Sequence, residues 1–327
     1  MTVKVPSLRS PAELISLLND VAGERLDSAR GKVAERSDYM LGSGEAEEVA
    51  LLAGVKPMIR QTLEPGTLAR QRSRFEALGF SVAVCEVAGL GRSTLLVGDN
   101  AESVRAAGGY ERHAVQHRQY GELLGYPRCC RDAFADTPDP RRNAVLKRNA
   151  YGRTQGQPAP RLNVMDLAIF HYLAWLPCSF SCEPSRAYAD GLAEIISTRY
   201  AELTESKNSP RGPDTQDRVK RFLEMMDSAL SAHRLLLFDD VQISVKGDFR
   251  DGVLEVHRFW PSACDRPRHA TLQAEAAEAT ARLLCALASC RTIAVSDGTL
   301  VLDGIARFRT EDALLVPFGV PDILRQK

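Results

Sequence analysis

The centre of this chain is organised by two cysteine-bearing segments, Gly125-Tyr126-Pro127-Arg128-Cys129-Cys130 and Pro177-Cys178-Ser179-Phe180-Ser181-Cys182. Thiolates are strong, soft ligands for zinc and iron, and four of them can close a tetrahedral metal site or hold an iron–sulfur cluster. Proline suits the first turn of a helix, so Pro127 and Pro184 predict that a helix begins at each segment. Helix N-termini favour the thiolate form of cysteine. Two such turns brought together would present three or four thiolates to one metal centre.

The adjacency of Cys129 and Cys130 favours an iron–sulfur cluster over zinc. Side chains of neighbouring residues diverge, so both sulfurs would reach one ion only with local strain, whereas a four-iron cube offers separated corners. We therefore expect a 4Fe–4S cluster on Cys129, Cys130, Cys178 and Cys182. His171 is a further candidate metal ligand, because it lies on a predicted helix that leads to Cys178. The alternatives are a zinc site, three ligands with the fourth cysteine free, and buried cysteines without metal.

The charged neighbours of the first cysteine pair suggest a reaction. Arg128 and Arg131 flank the pair, and arginines beside thiolates lower thiol pKa values and bind carboxylates or phosphates. We expect an enzyme in which Cys130, Arg128 and Arg131 are catalytic, with redox or sulfur-handling chemistry on a small anionic substrate. The alternatives are a non-enzymatic protein with a structural zinc site and a metal-free thiol–disulfide switch. Such a bridge would run between the two segments, because adjacent cysteines form a strained ring.

Two histidines and four further cysteines have side chains that can bind metals. His113 and His117 are four apart on a predicted helix, which puts them on one face suited to a metal or simply to solvent. The remaining cysteines are scattered along the chain: Cys85, Cys264, Cys285 and Cys290. Cys85 lies in a predicted strand and Cys285 in a predicted helix, so we expect both to be buried and chemically silent.

The composition is that of a globular protein without an obvious macromolecular partner. The chain has 327 residues, of which 44% are hydrophobic, and its 42 Lys and Arg balance its 42 Asp and Glu. This balance gives no nucleic-acid signal, and no stretch has the apolar length of a membrane span or of a signal peptide. We expect a cytoplasmic protein with reduced thiols and a small-molecule substrate. Nothing in the sequence indicates an oligomeric state.

The order of the predicted elements indicates a mixed α+β or α/β protein. We expect a small N-terminal α/β module over residues 1–112, a helical cysteine-motif centre over 113–205 and a C-terminal α+β module with antiparallel strands over 215–327. A Pro- and Gly-rich linker at 206–214 separates the last two. The Gly-rich stretch 88–92 predicts a strand connection, because it lacks the third glycine of a dinucleotide fingerprint. The helices are predicted within 11–53, 68–78, 101–124, 164–175, 184–203, 215–232 and 271–288, and the strands at 80–85, 93–97, 234–246, 253–260, 291–302 and 305–317. The strands at 234–246 and 253–260 are expected to join around Gly247 and Asp248.

The two cysteine segments also resemble a known arrangement. Gly125-Tyr126-Pro127-x-Cys129-Cys130, followed by Pro177-Cys178-Ser179-x-x-Cys182, is similar to an uncharacterised prokaryotic family of unknown function. The likeness covers about residues 117–190. That family pairs the same two segments, and the resemblance implies no activity.

Overall fold

The structure of the chain is a computed structural model, and it describes residues 41–87, 92–113, 116–137, 143–164, 170–204, 214–238, 241–261, 283, 286–287, 290–296, 299–309 and 313–318. Several predictions lie outside these residues: the helix up to residue 40, the 88–91 turn, most of the linker, most of the 271–288 helix, Cys264 and Cys285. The rest form a mixed α+β fold, as predicted. No described helix is both long and apolar enough to cross a membrane.

Eight α-helices occur among the described residues, together with a short 3₁₀ turn at Pro160–Leu162. They are α1 Ser43–Leu52, α2 Pro65–Ala77, α3 Ala101–His113, α4 His117–Leu123, α5 Arg128–Ala135, α6 Asn143–Gly152, α7 Glu183–Thr204 and α8 Thr215–Ala232.

Ten β-strands are described, and they form two antiparallel sheets. They are β1 Met58–Leu63, β2 Ser81–Val87, β3 Arg92–Gly98, β4 His233–Phe238, β5 Val241–Arg250, β6 Val253–Pro261, β7 Thr292–Ser296, β8 Thr299–Leu302, β9 Ala306–Arg309 and β10 Leu314–Val316. The first sheet has the order β1-β3-β2, and the second has the order β10-β4-β5-β6-β7-β8-β9.

The three-stranded sheet is buried on both faces, because alternate residues of a strand point to opposite sides. Leu95 and Val97 of β3 lie in one core with Phe75 of α2. Leu96, from the same strand, lies in another core with Val104 of α3. The predicted helix at 68–78 and both predicted strands are confirmed.

Helices α1, α7 and α8 surround the central core, which holds many of the aromatic side chains. Phe170 meets Tyr172 and Phe222 edge to face, with ring centroids 4.8 and 5.6 Å apart. Arg161, in the 3₁₀ turn, forms a two-point ion pair with Asp227 of α8. The predicted helices at 184–203 and 215–232 are confirmed as α7 and α8.

The predicted helix at 164–175 is wrong in its described part. Residues 170–175 have no regular secondary structure. The backbone N–H of His171 donates to Ser43 Oγ of α1 at 2.9 Å, a bond to another element in place of a helical carbonyl. Phe170, Tyr172 and Leu173 are all buried, so this stretch has no solvent face of the kind an amphipathic helix needs. Tertiary contacts override the helical spacing here.

The seven-stranded sheet divides differently from its prediction. The predicted strand at 234–246 is two strands, β4 and β5, and the turn before β6 lies at Asp251 and Gly252, not at Gly247. Gly247 sits within β5 where the register with β6 shifts, and a Cβ there would lie 2.0 Å from the carbonyl oxygen of Glu255. Glycine thus marks a bulge in a strand and not a hairpin turn.

Gly125 sets the path of the chain into the first cysteine segment. It follows α4 with a φ of 76°, and a Cβ at this position would lie 2.6 Å from Cδ of Pro57. The left-handed backbone and the close approach of Pro57 both require glycine. The start of α5, and so the placement of its cysteines, depends on this turn.

We expect Gly125→Ala to lower the free energy of unfolding by at least about 1–2 kcal/mol, because left-handed backbone strains a residue with a Cβ. The matched control is Gly109→Ala in α3, where a Cβ meets nothing within 4 Å and the helix should gain about 0.5–1 kcal/mol. Urea denaturation of the two variants checks this. Equal stability of both variants would contradict the role given to the turn.

Candidate metal centre

The starts of α5 and α7 hold three of the four cysteines. The amides of Cys130 and Arg131 both donate to the carbonyl of Pro127, at 2.9 and 3.0 Å, which places Cys129 and Cys130 in the first turn of α5. Cys182 directly precedes α7, and its carbonyl accepts the amide of Arg186 at 2.9 Å. The predicted placement of the three cysteines at helix N-termini is confirmed.

The four sulfurs converge. Those of Cys129, Cys130, Cys178 and Cys182 all lie within 4.8 Å of one another. Cys182 Sγ is 3.7 Å from the sulfurs of both Cys129 and Cys130, which are themselves 4.0 Å apart. The prediction that the two segments form one site is confirmed, and four thiols at these distances could hold a metal ion.

The expected divergence of Cys129 and Cys130 is wrong. Their sulfurs are about as close to each other as each is to Cys182. Side chains on a helix lean toward its N-terminus, so two neighbours in the first turn can reach one point ahead of the helix. The angular separation of the two residues around the helix axis would by itself keep the sulfurs apart, but the lean of both side chains toward the N-terminus brings them together.

Burial differs among the four cysteines. Cys130 and Cys182 are buried, Cys178 is partly buried and Cys129 is exposed. Six cysteines are described, and all six are free thiols, including Cys85, which is buried in β2 as predicted. The centre therefore has a buried side formed by Cys130 and Cys182 and an open edge at Cys129.

Donors behind the buried side point at Cys130. Its sulfur accepts the backbone N–H of Cys178 at 3.3 Å and lies 3.3 Å from Ser185 Oγ. The indole N–H of Trp175 donates to Ser185 Oγ at 3.1 Å, which leaves the serine hydroxyl hydrogen for the sulfur. Such outer contacts orient a ligand and stabilise its negative charge.

The thiols share protons unequally. Hydrogen bonds from Cys130 and Cys178 hold the pKa of the Cys182 thiol far below its ordinary value. The pKa of Cys130 is raised by hydrogen bonding to Cys178 and Cys182 and by burial. The hydrogen bond with Cys130 lowers the pKa of Cys178, but hydrogen bonding to Cys182, burial and the charges of Cys182 and Cys129 together outweigh it and raise this pKa to about 12. The thiolate of Cys182 is thus stabilised by the S–H groups of its neighbours, and a cation bound to the sulfurs would displace the protons of those groups.

The predicted arginines separate into an exposed and an inward-facing residue. The side chain of Arg128 is 87% exposed and lies 3.7 Å from Asp132, whereas that of Arg131 is 15% exposed and lies 2.7 Å from Glu122. Arg131 lines a cavity of about 460 Å³ that also reaches Cys130, and Arg128 is not part of its lining. A catalytic role for Arg128, Arg131 and Cys130 stays a prediction.

The histidines are not among the four residues brought together. His171 is partly buried and is not part of the four-sulfur group. His113 and His117 do not share one helix, because Gln116 adopts a φ of 65° and separates α3 from α4. His117 lines the cavity and meets the Phe134 ring edge to face at 5.1 Å.

Sequence reasoning missed a polar group on the same cavity. Glu111 accepts hydrogen bonds from Arg60, Tyr120 and Thr94. These residues come from α3, β1, α4 and β3, so no local motif links them. The only sequence signal is an acidic residue on the otherwise mixed surface of the 101–124 helical pattern.

No protein-family profile, curated protein or solved structure matches this chain. The likeness of the cysteine segments to an uncharacterised family therefore stays a prediction, and the geometry of the site carries the functional argument.

We expect Ser185→Ala to lower the free energy of unfolding by about 1–3 kcal/mol, because it leaves the Trp175 N–H and the Cys130 sulfur without their shared partner. The control on the same helix is Ser197→Ala, whose hydroxyl binds only the exposed carbonyl of Glu194 and whose loss should change stability by less than about 0.5 kcal/mol. Urea denaturation measures both. Equal effects would show that the contact to Cys130 contributes nothing.

Proposed function

We propose that Cys129, Cys130, Cys178 and Cys182 bind a single metal ion, zinc, which ties the start of α5 to the start of α7. One observation carries this proposal, the spacing of the sulfurs at 3.7, 3.7 and 4.0 Å. Four sulfurs placed about 2.3 Å from one ion in a tetrahedron are separated by roughly 3.8 Å. The spacing supports one ion at the centre of the group.

The same spacing bears on the 4Fe–4S cluster expected from the sequence. In a four-iron cube each thiolate binds a different iron, so the sulfurs stand on the corners of a larger tetrahedron than the ligands of one ion. All four sulfurs of this site lie within 4.8 Å. The zinc alternative is therefore the better supported of the two cofactors, and the experiment below tests both.

A closed tetrahedral site suits a structural role. Four protein thiolates leave no coordination position for water or substrate. The ligands come from α5, from the irregular segment before α7 and from the start of α7, and Cys130 and Cys182 belong to the central core. An ion here would cross-link three parts of that core, and its binding energy would contribute to folding. We place the protein in the cytoplasm, where thiols stay reduced.

An enzyme is the second candidate, and the cavity favours it. Cys130 belongs to the four-sulfur group and also lines a cavity of about 460 Å³. If three cysteines hold the metal, the fourth thiolate or an open metal position would face a bound molecule. In such an enzyme Cys130 and Arg131 would have the catalytic roles predicted from the sequence.

We expect the chain purified without oxygen to be colourless and to contain one zinc per chain. Each of the single Cys→Ala variants at positions 129, 130, 178 and 182 should lose the metal, because a tetrahedral site needs all four ligands. Cys85→Ala is the matched control, since Cys85 is buried in β2, away from the group, and should keep the metal. Metal and acid-labile sulfide assays measure the outcome.

Other outcomes would replace the proposal. A brown protein with iron and sulfide would establish the iron–sulfur cluster. Metal retention in one variant, with loss in the other three, would favour the enzyme with a free fourth cysteine. Absence of metal from the anaerobic wild type, together with a disulfide between the segments after oxidation, would favour the thiol switch.

A further inference from the structure

The cavity beside Cys130 is a candidate ligand site that goes beyond the metal centre. Its volume of about 460 Å³ lies in the range of small-molecule sites. Its walls come from α3, α4, α5 and α6, from β1 and from the irregular segment at 174–176. We propose that this cavity binds a small planar aromatic carboxylate.

The aromatic part of the proposal follows from the walls. Most of the lining is apolar or aromatic, and two pairs of rings stand on it. The Tyr126 and Trp175 rings lie 5.0 Å apart, and the Tyr110 and Tyr120 rings lie 6.4 Å apart. Aromatic faces and edges favour a flat ring over a flexible chain, because stacking and edge contacts add to burial. These walls select a planar, apolar body.

Glu111 does not supply the specificity, because its oxygens are already occupied. Arg60 binds it through Nε at 3.0 Å and Nη2 at 2.6 Å, Tyr120 donates at 2.6 Å and Thr94 donates at 2.9 Å. Burial raises the pKa of Glu111, but these hydrogen bonds bring it below its usual value. The carboxylate is therefore ionised and neutralises Arg60 on the same wall.

Arg131 is the cation left to receive a ligand. Its Nη1 donates to the carbonyl of Arg118 at 3.3 Å and pairs with Glu122, which is not part of the lining. Its Nε is buried and has no hydrogen-bond partner in the structure. A buried N–H without an acceptor costs free energy, and a carboxylate oxygen would satisfy it with a charge-assisted bond.

Gly121 holds Arg131 in this position. A Cβ at residue 121 would lie 3.0 Å from Cγ of Arg131 and 3.3 Å from the Tyr126 ring. The stem of the arginine therefore rests directly on the backbone of α4, on the wall of the cavity. This packing fixes a long side chain before the ligand arrives, which lowers the entropy cost of binding.

A bound ligand would lie beside the metal centre. Cys130 forms part of the wall, and Trp175, another wall residue, donates to Ser185, which contacts the Cys130 sulfur. The ligand and the centre thus share residues, but the cavity does not need any particular metal. The proposal therefore stands or falls independently of the identity of the ion.

The test is calorimetric titration of the full, metal-loaded chain with 2-naphthoate. The comparison ligands are 2-naphthamide, which keeps the rings and removes the charge, and cyclohexanecarboxylate, which keeps the charge and removes the aromatic plane. We expect saturable binding of 2-naphthoate at one site, with both comparison ligands at least about tenfold weaker, as one charge-assisted bond or one set of ring contacts implies. Equal binding of all three, or no binding of 2-naphthoate, would overturn the proposal.

Two arginine variants locate the site. Arg131→Met keeps the packing on Gly121 and removes the donor, and it should weaken 2-naphthoate binding at least about tenfold. Arg218→Met in α8 is the control, because Arg218 also forms an ion pair but lies outside the lining, and the affinity of this variant should equal that of the wild type. An unchanged affinity in Arg131→Met would overturn the assignment.

A third variant tests the cavity even if Arg131→Met does not fold. Ala174→Leu adds bulk to another residue of the cavity wall, and it should abolish binding of 2-naphthoate. Metal content is measured on every variant. Loss of ligand binding with the metal retained supports the cavity, whereas retained binding in Ala174→Leu overturns it.

Discussion

The whole central region depends on placing four sulfurs within 4.8 Å of one another. Four thiolates at that distance repel strongly, so the arrangement needs either shared protons or a cation. The starts of α5 and α7 supply part of the compensating field, because the N-terminal end of a helix is partly positive. A divalent ion bound to the four sulfurs would supply the rest. The geometry of the proline-led helix starts, the buried side of the site and the donors behind it all serve this one electrostatic requirement.

Hydrogen bonds connect the Cys130 sulfur to the aromatic side chains of the central core. Ser185 bridges the sulfur and the indole of Trp175, and Trp175 stacks near Tyr126 and Tyr188. Trp175 therefore supports the contact between Ser185 and the Cys130 sulfur and also forms part of the cavity wall. A change in the charge of the sulfurs would alter the hydrogen bond to the indole, and through it the wall against which a ligand would pack.

The parts of the fold that sequence predicted well are those set by short-range rules. Prolines at helix starts identified α5 and α7, and thiol chemistry identified the four cysteines. The errors occurred where distant residues decide. Ser43 takes the N–H of His171 and draws residues 170–175 out of a helix. Glycine is typical of turns, so the sequence predicts a turn at Gly247. In the structure, glycine is needed there because the carbonyl oxygen of Glu255 in β6 lies too close to leave room for a Cβ. The walls of the cavity come from five helices and strands and from the irregular segment at 174–176, so no single stretch of sequence predicts it.

The ring contact between Phe180 and Phe318 links the loop between Cys178 and Cys182 to the segment that follows β10, with centroids 4.9 Å apart. Both rings belong to the central core. During synthesis the cysteines leave the ribosome long before Phe318 does. The four sulfurs could therefore bind a metal before Phe318 has been synthesised. The contact between Phe180 and Phe318 can form only later, when β10 pairs with β4. The order of translation would thus allow an ion to bind before the core around the sulfurs is complete.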